Sequence, residues 1–107
     1  VPPRSPAYTL SATLSDFAND LESDGKATKT IQTYSEAVMA LAGFASDPQV
    51  SRLDEPLVRS WLLAMRRRGN SPSTLFNRFM GLRAYCKWAV TTGKLAANPT
   101  DAIPRPR

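Results

Sequence analysis

Apolar residues recur at intervals of three and four through four successive stretches of this chain, and each stretch is closed by a glycine or a proline-containing turn. That period gathers the apolar side chains of a stretch onto one face of a helix. Leu10, Leu14, Phe17 and Leu21 draw the first stripe, with Ser11 or Thr13 as its expected cap and Gly25 as its end. Ile31, Tyr34, Val38, Leu41, Ala42 and Ala45 draw the second, from about Thr28 to Ala45, before a turn at Asp47 and Pro48. Asp54, followed by Glu55 and Pro56, is a helix-start signal; Leu57, Val58, Trp61, Leu62, Ala64 and Met65 then form a broad apolar arc that runs to Arg68. Gly69 and Asn70 stop that helix, and Ser71 with Pro72 opens a fourth that reaches Thr92. Its buried side reads Leu75, Phe79, Leu82, Cys86, Ala89 and Val90, and Gly93 closes it. No stretch alternates with period two, so the expected fold is all-α with four helices.

A chain of 107 residues has room for one apolar core, and a hydrophobic fraction of 42% with 21% charged residues is that of a globular module. The start, Val1 to Pro6, holds three prolines and no apolar signal-peptide region; with no initiator Met it reads as cut from something longer. Residues 1–9 are expected to be flexible, 10–95 to be the helical module, and 96–107 to begin a linker, because Pro99, Pro104 and Pro106 stand there among small and basic residues. The longest apolar run, Ala37 to Ala45, is about half of what a membrane span needs.

Several chemistries drop out. Histidine is absent, so neither a Ser-His nor a Cys-His nucleophile pair can be built. The lone Cys86 has no partner for a disulfide or a zinc site and lies on the apolar line of the fourth helix, which suits a core residue in a reducing cytoplasm. Asp16, Asp20 and Asp24 share one face of the first helix and read as a solvated polar surface, not a cation site. No glycine-rich phosphate loop is present. No catalytic residue, metal, cofactor or small-molecule substrate is expected.

Binding remains, and charge directs it. Between Pro56 and Thr100 stand Arg59, Arg66, Arg67, Arg68, Arg78, Arg83, Lys87 and Lys94 without one carboxylate, whereas the first helix is acidic. The net charge of +5 suits a polyanion without naming it. Opposite its core side, the fourth helix carries Ser73, Asn77, Met80, Ala84 and Lys87, flanked by Arg78 and Arg83. Short and amide side chains can approach base edges in a major groove while flanking cations reach phosphates. An ordinary wet helix surface is the alternative, though it would normally mix acids with its bases. The outward face of the second helix reads Lys29, Gln32, Thr33, Glu36, Ala40 and Gly43; its N-terminus, with Lys26 and Lys29, suits a phosphate, while Glu36 counts against deep burial among phosphates. Arg66, Arg67 and Arg68 either complement the dipole at the end of the third helix or clamp a phosphate.

Thr30 with Tyr34 and Phe44, then Ser71 and Thr74, then the run from Tyr85 to Val90 followed by Gly93, Leu95, Asn98 and Pro99 follow a known order. The stretch Tyr-Cys-Lys-Trp-Ala-Val, then Gly-Lys-Leu and Asn-Pro, resembles the aromatic-x-x-Trp-Ala ending of the N-terminal, SAM-like core-binding domain of tyrosine recombinases, the phage integrase family. The resemblance spans about residues 10–107. It implies an orthogonal four-helix bundle that forms one arm of a clamp on double-stranded DNA, in the company of other recombinase protomers, within a bacterial or phage-encoded cytoplasmic protein. By resemblance, Thr30, Gln32 and Thr33 face DNA from the second helix, and Ser73, Thr74 and Asn77 from the fourth. Ser73 stands where the family often has Lys, which shifts weight to Arg78. The family's tyrosine chemistry belongs to a second domain. The rival expectation is a helical protein-interaction module that uses Trp61, Trp88 and the acidic first helix.

Overall fold

The computed structural model describes residues 8–106. Four helices make up the bundle: α1 (Leu10–Ser23), α2 (Thr28–Phe44), α3 (Glu55–Arg67) and α4 (Pro72–Thr91). Short 3-10 turns at Val50–Arg52 and Pro99–Ala102 complete it, and no strand occurs among the described residues. Of residues 1–9, expected to be flexible, positions 1–7 lie outside that range.

Helix starts follow local chemistry at α3 and α4. The Asp54 carboxylate accepts from the Leu57 amide at 2.9 Å, and the Ser71 hydroxyl accepts from the Thr74 amide at 3.1 Å, each satisfying an amide that the first helical turn leaves unpaired. The start of α1 differs from expectation. Thr9 is the cap, accepting from Ala12, and Ser11 is instead held by Asp47, whose carboxylate accepts from the Ser11 amide at 2.9 Å and from its hydroxyl. Those bonds, the hydroxyl's foremost, hold the Asp47 carboxyl below its ordinary value. Ser46 and Asp47 reach this position with φ of 60° and 49°, a left-handed turn that aims the carboxylate across at α1. Beside it, the Val50 amide donates to Tyr8 O at 2.7 Å and the Leu10 amide to Pro48 O at 3.0 Å, so Tyr8 and Thr9 are tied to the α2–α3 connection.

Helix α4 runs through the middle of the bundle. Leu75, Phe79, Gly81, Leu82, Tyr85, Cys86 and Ala89 are all buried, more than one stripe can hold, because α1, α2 and the C-terminal turn cover it from different sides. Its crossing with α2 is close at Gly81, where an added Cβ would stand 2.7 Å from Ala37 Cβ and 3.2 Å from Tyr34 Cα. Against α1, Phe17, Tyr85 and Trp88 form an aromatic cluster with centroid separations of 5.2, 5.3 and 5.7 Å. Burial pushes the Cys86 thiol up to about 12, so it is an inert core residue.

Thr13, expected as a cap, is buried. Its hydroxyl lies 2.9 Å from Leu10 O and 2.6 Å from the Tyr85 hydroxyl. Because Thr13 has one proton and gives it to Leu10 O, Tyr85 must donate to Thr13. The two partners are therefore unequal. Thr13→Val strands a buried phenol and is expected to cost about 1–3 kcal/mol, whereas Tyr85→Phe leaves Thr13 bonded to Leu10 and should cost only about 0.5–1.5 kcal/mol, both read from urea unfolding midpoints. Equal losses would reverse the donor assignment.

The C-terminal segment, read from composition as the start of a linker, packs on the bundle through Ile103. Asn98 Oδ1 accepts from the Thr100 amide at 3.0 Å, opening a short turn that buries Thr100 and Ile103 after the buried Leu95. The prolines fix this turn; two side chains in the core hold it down.

Candidate nucleic-acid interface

Helices α2 and α4 cross so that their polar flanks meet along one side of the molecule. Thr33 and Glu36 of α2 line a shallow cleft of about 260 Å³ together with Thr74, Asn77 and Arg78 of α4. Thr74 and Arg78 also border a larger hollow of about 390 Å³, where Arg68 and Asn70 follow the end of α3 and Met39, Ala40 and Gly43 of α2 form the far wall. The two hollows make one continuous strip. Lys29, Gln32, Ser73 and Asn77 are exposed; Thr33, Thr74 and Arg78 are half-buried.

Hydrogen bonds limit what each group has left to offer. The Thr33 hydroxyl donates to Lys29 O at 2.9 Å, leaving lone pairs but no proton for a ligand. The Thr74 hydroxyl accepts from Ser71 at 3.0 Å and keeps its own proton. Gln32 Nε2 donates to Glu36 Oε1 at 3.2 Å. Ala27 precedes α2 without a side-chain cap, so its first-turn amides remain available beside Lys29. Among the described residues the only ion pair is Arg59 with Glu55, at 3.2 Å. The cations of the strip therefore form no ion pair, although the Glu36 carboxylate shares a cleft with Arg78.

The structure divides the residues that the sequence grouped. Thr30 stands half-buried on the side of α2 that carries Tyr34, Ala37 and Leu41, away from Gln32. Met80 and Ala84, expected on the open face of α4, are half-buried because α4 is covered along most of its length. The arginine triplet fans out: Arg68 faces the strip, Arg66 borders a groove with Arg59, Ile103 and Pro104, and Arg67 is exposed on neither. Arg83 and Lys87 line a third cleft with Thr91, Asn98 and Asp101. Glu36 and Asn70 belong to the strip and were missed as site residues, since their neighbours come from other helices.

The two tryptophans of the rival surface are engaged within the module. Trp61 is 2% exposed in the core, and the Trp88 indole donates to Asp20 Oδ2 at 2.7 Å while Lys94 lies 4.8 Å over its ring. The acidic face of α1 forms no metal-binding cluster among the described residues. No described helix is long and apolar enough to cross a membrane.

Residues 14–93 match the family described as phage integrase, N-terminal SAM-like domain. The chain belongs to this family. Its relatives include proteins named tyrosine recombinase XerC. The one from Salmonella typhi is 35% identical over 81 residues, covering 73% of this chain and 27% of the relative. That of Xanthomonas campestris pv. campestris strain B100 is 33% identical over 81 residues, 73% of this chain and 25% of its own length. The Proteus mirabilis protein is 28% identical over 103 residues, 92% of this chain and 34% of the relative. The chain thus spans between a quarter and about a third of these relatives. No solved structure matches it. For a member of this SAM-like family, the described helices supply the expected all-α bundle.

Proposed function

We propose that this chain is the DNA-holding module of a site-specific tyrosine recombinase and that the strip between α2 and α4 lies along one half-site. In this reading the module neither cuts nor rejoins DNA, and strand exchange belongs to a separate catalytic domain connected through the segment after Ile103. The carrying observation is the strip itself: Arg68 and Arg78 flank Asn77 and Thr74, neither arginine forms an ion pair among the described residues, and exposed Ser73 lies on the same helix. Amide and hydroxyl groups reach base edges while the guanidiniums bind phosphates, which is the division of labour expected of a groove-docked helix. Exposed Lys29 and the uncapped start of α2 supply a further phosphate contact. Arg83 and Lys87, in their own cleft, extend the contact toward the end of α4, and Arg66 and Arg67 add to the general field. Other recombinase protomers bound to the same DNA are its partners.

Two substitutions separate the roles. Asn77→Ala should relax preference at one base position with a cost of about 1–3 kcal/mol on the preferred site, while Arg78→Ala should weaken all duplexes alike and lower the salt slope by about 1. Fluorescence anisotropy with specific and scrambled duplexes reads both. Uniform loss from Asn77→Ala would remove it from base reading.

A further inference from the structure

One carboxylate stands on the otherwise basic strip. Glu36 is the only acidic residue of α2, α4 carries none, and the Glu36 side chain lines the cleft that holds Asn77, Thr74 and Arg78. No cation neutralises it: Arg78 shares the cleft, yet the only ion pair among the described residues lies elsewhere. Gln32, one turn before it, donates to Oε1 and holds the side chain in place. An unpaired carboxylate set against phosphates would be repelled, so in a docked complex Glu36 belongs over the base edges, beside Asn77.

We propose that Glu36 is a specificity-determining residue that selects cytosine at one position of the half-site, an inference that rests on the DNA-holding reading above. The chemistry of the major groove decides the base. Guanine offers N7 and O6, both acceptors, and thymine offers O4, so a carboxylate meets lone pairs at either. Adenine sets its N6 donor beside the N7 acceptor. Cytosine's own edge shows the N4 amino group beside C5–H, the nearest lone pair being on O6 of its paired guanine, and N4 can donate to the free oxygen of Glu36. The residue therefore acts as much by excluding guanine and thymine as by attracting cytosine.

The test is selection from a duplex library by this chain, run in parallel for wild type, Glu36→Ala and Glu36→Gln, with melting curves to confirm that the exposed substitutions leave the fold intact. The expected result is a cytosine preference of about fivefold or more in the wild type, at the low end of what a base-edge contact supplies. Glu36→Ala should lose it at that position alone. Glu36→Gln should turn it toward adenine, with which an amide pairs bidentately, a switch that a merely structural role would not produce. Identical preferences in all three proteins would overturn the role of Glu36 while leaving DNA holding intact. Failure of folded wild type to bind any duplex would overturn DNA holding itself, and this inference with it.

Discussion

Replacing Trp61 by alanine is expected to destabilise the protein by about 3–5 kcal/mol, the range for truncating a large buried aromatic. Helix α3 is held to the bundle through only three buried side chains, Val58, Trp61 and Met65, and Trp61 is by far the largest. A domain of this size has about 5–15 kcal/mol of stability in all, so the loss is a substantial part of the whole. At about 4–8 °C per kcal/mol, the thermal midpoint should fall by more than about 12 °C. Because α3 ends at the arginines, Arg68 should lose its place beside Arg78 in the same variant. A shift below about 5 °C would mean that α3 is anchored by other contacts.

Duplex affinity is expected to fall about a thousandfold between roughly 50 and 200 mM salt, the behaviour of a protein that displaces counterions from about six phosphates. About six contacts are expected from the cations of the proposed surface, Lys29, Arg66, Arg67, Arg68, Arg78, Arg83 and Lys87, none of which forms an ion pair among the described residues. A plot of log affinity against log salt should then have a slope near −5. The absence of histidine adds a control. No side chain of ordinary pKa titrates near neutrality, so this slope should be the same at pH 6.5 and 7.5. A slope near zero would refute groove docking, because no polyanion can be held by this strip without releasing ions.

The starts of α3 and α4 were legible because Asp54 and Ser71 act on amides three residues away, within reach of a local reading. The start of α1 was not. Asp47 takes the Ser11 amide from 36 residues away, which leaves Thr9 as the local cap and frees Thr13 for the core. Helix α4 shows the limit of amphipathic reasoning: the spacing predicts one buried stripe, but a central helix is covered on several sides, and it stays open mainly in its first turns and at Lys87 and Thr91. Ser73, Asn77 and Gln32 could be placed on open faces from spacing alone. That Arg68 joins Arg78 while Arg66 turns away depends on the crossing of α3 and α4, which no single stretch encodes. The C-terminal turn was hidden by its prolines, although Asn98 before Pro99 is itself a start signal and Ile103 an apolar residue with nowhere else to go.

That turn also decides where the protein can be divided. A fragment ended after Leu95 would remove the buried Thr100 and Ile103 and open Leu62 and Leu75 to water beside Leu63, which is exposed already. The smallest piece expected to fold on its own therefore extends to Ile103, which unfolding curves of the two fragments would check. A catalytic partner grafted beyond Pro106 would hang from a fixed mooring next to Arg59 and Arg66, and its tether would be counted from there and not from the end of α4.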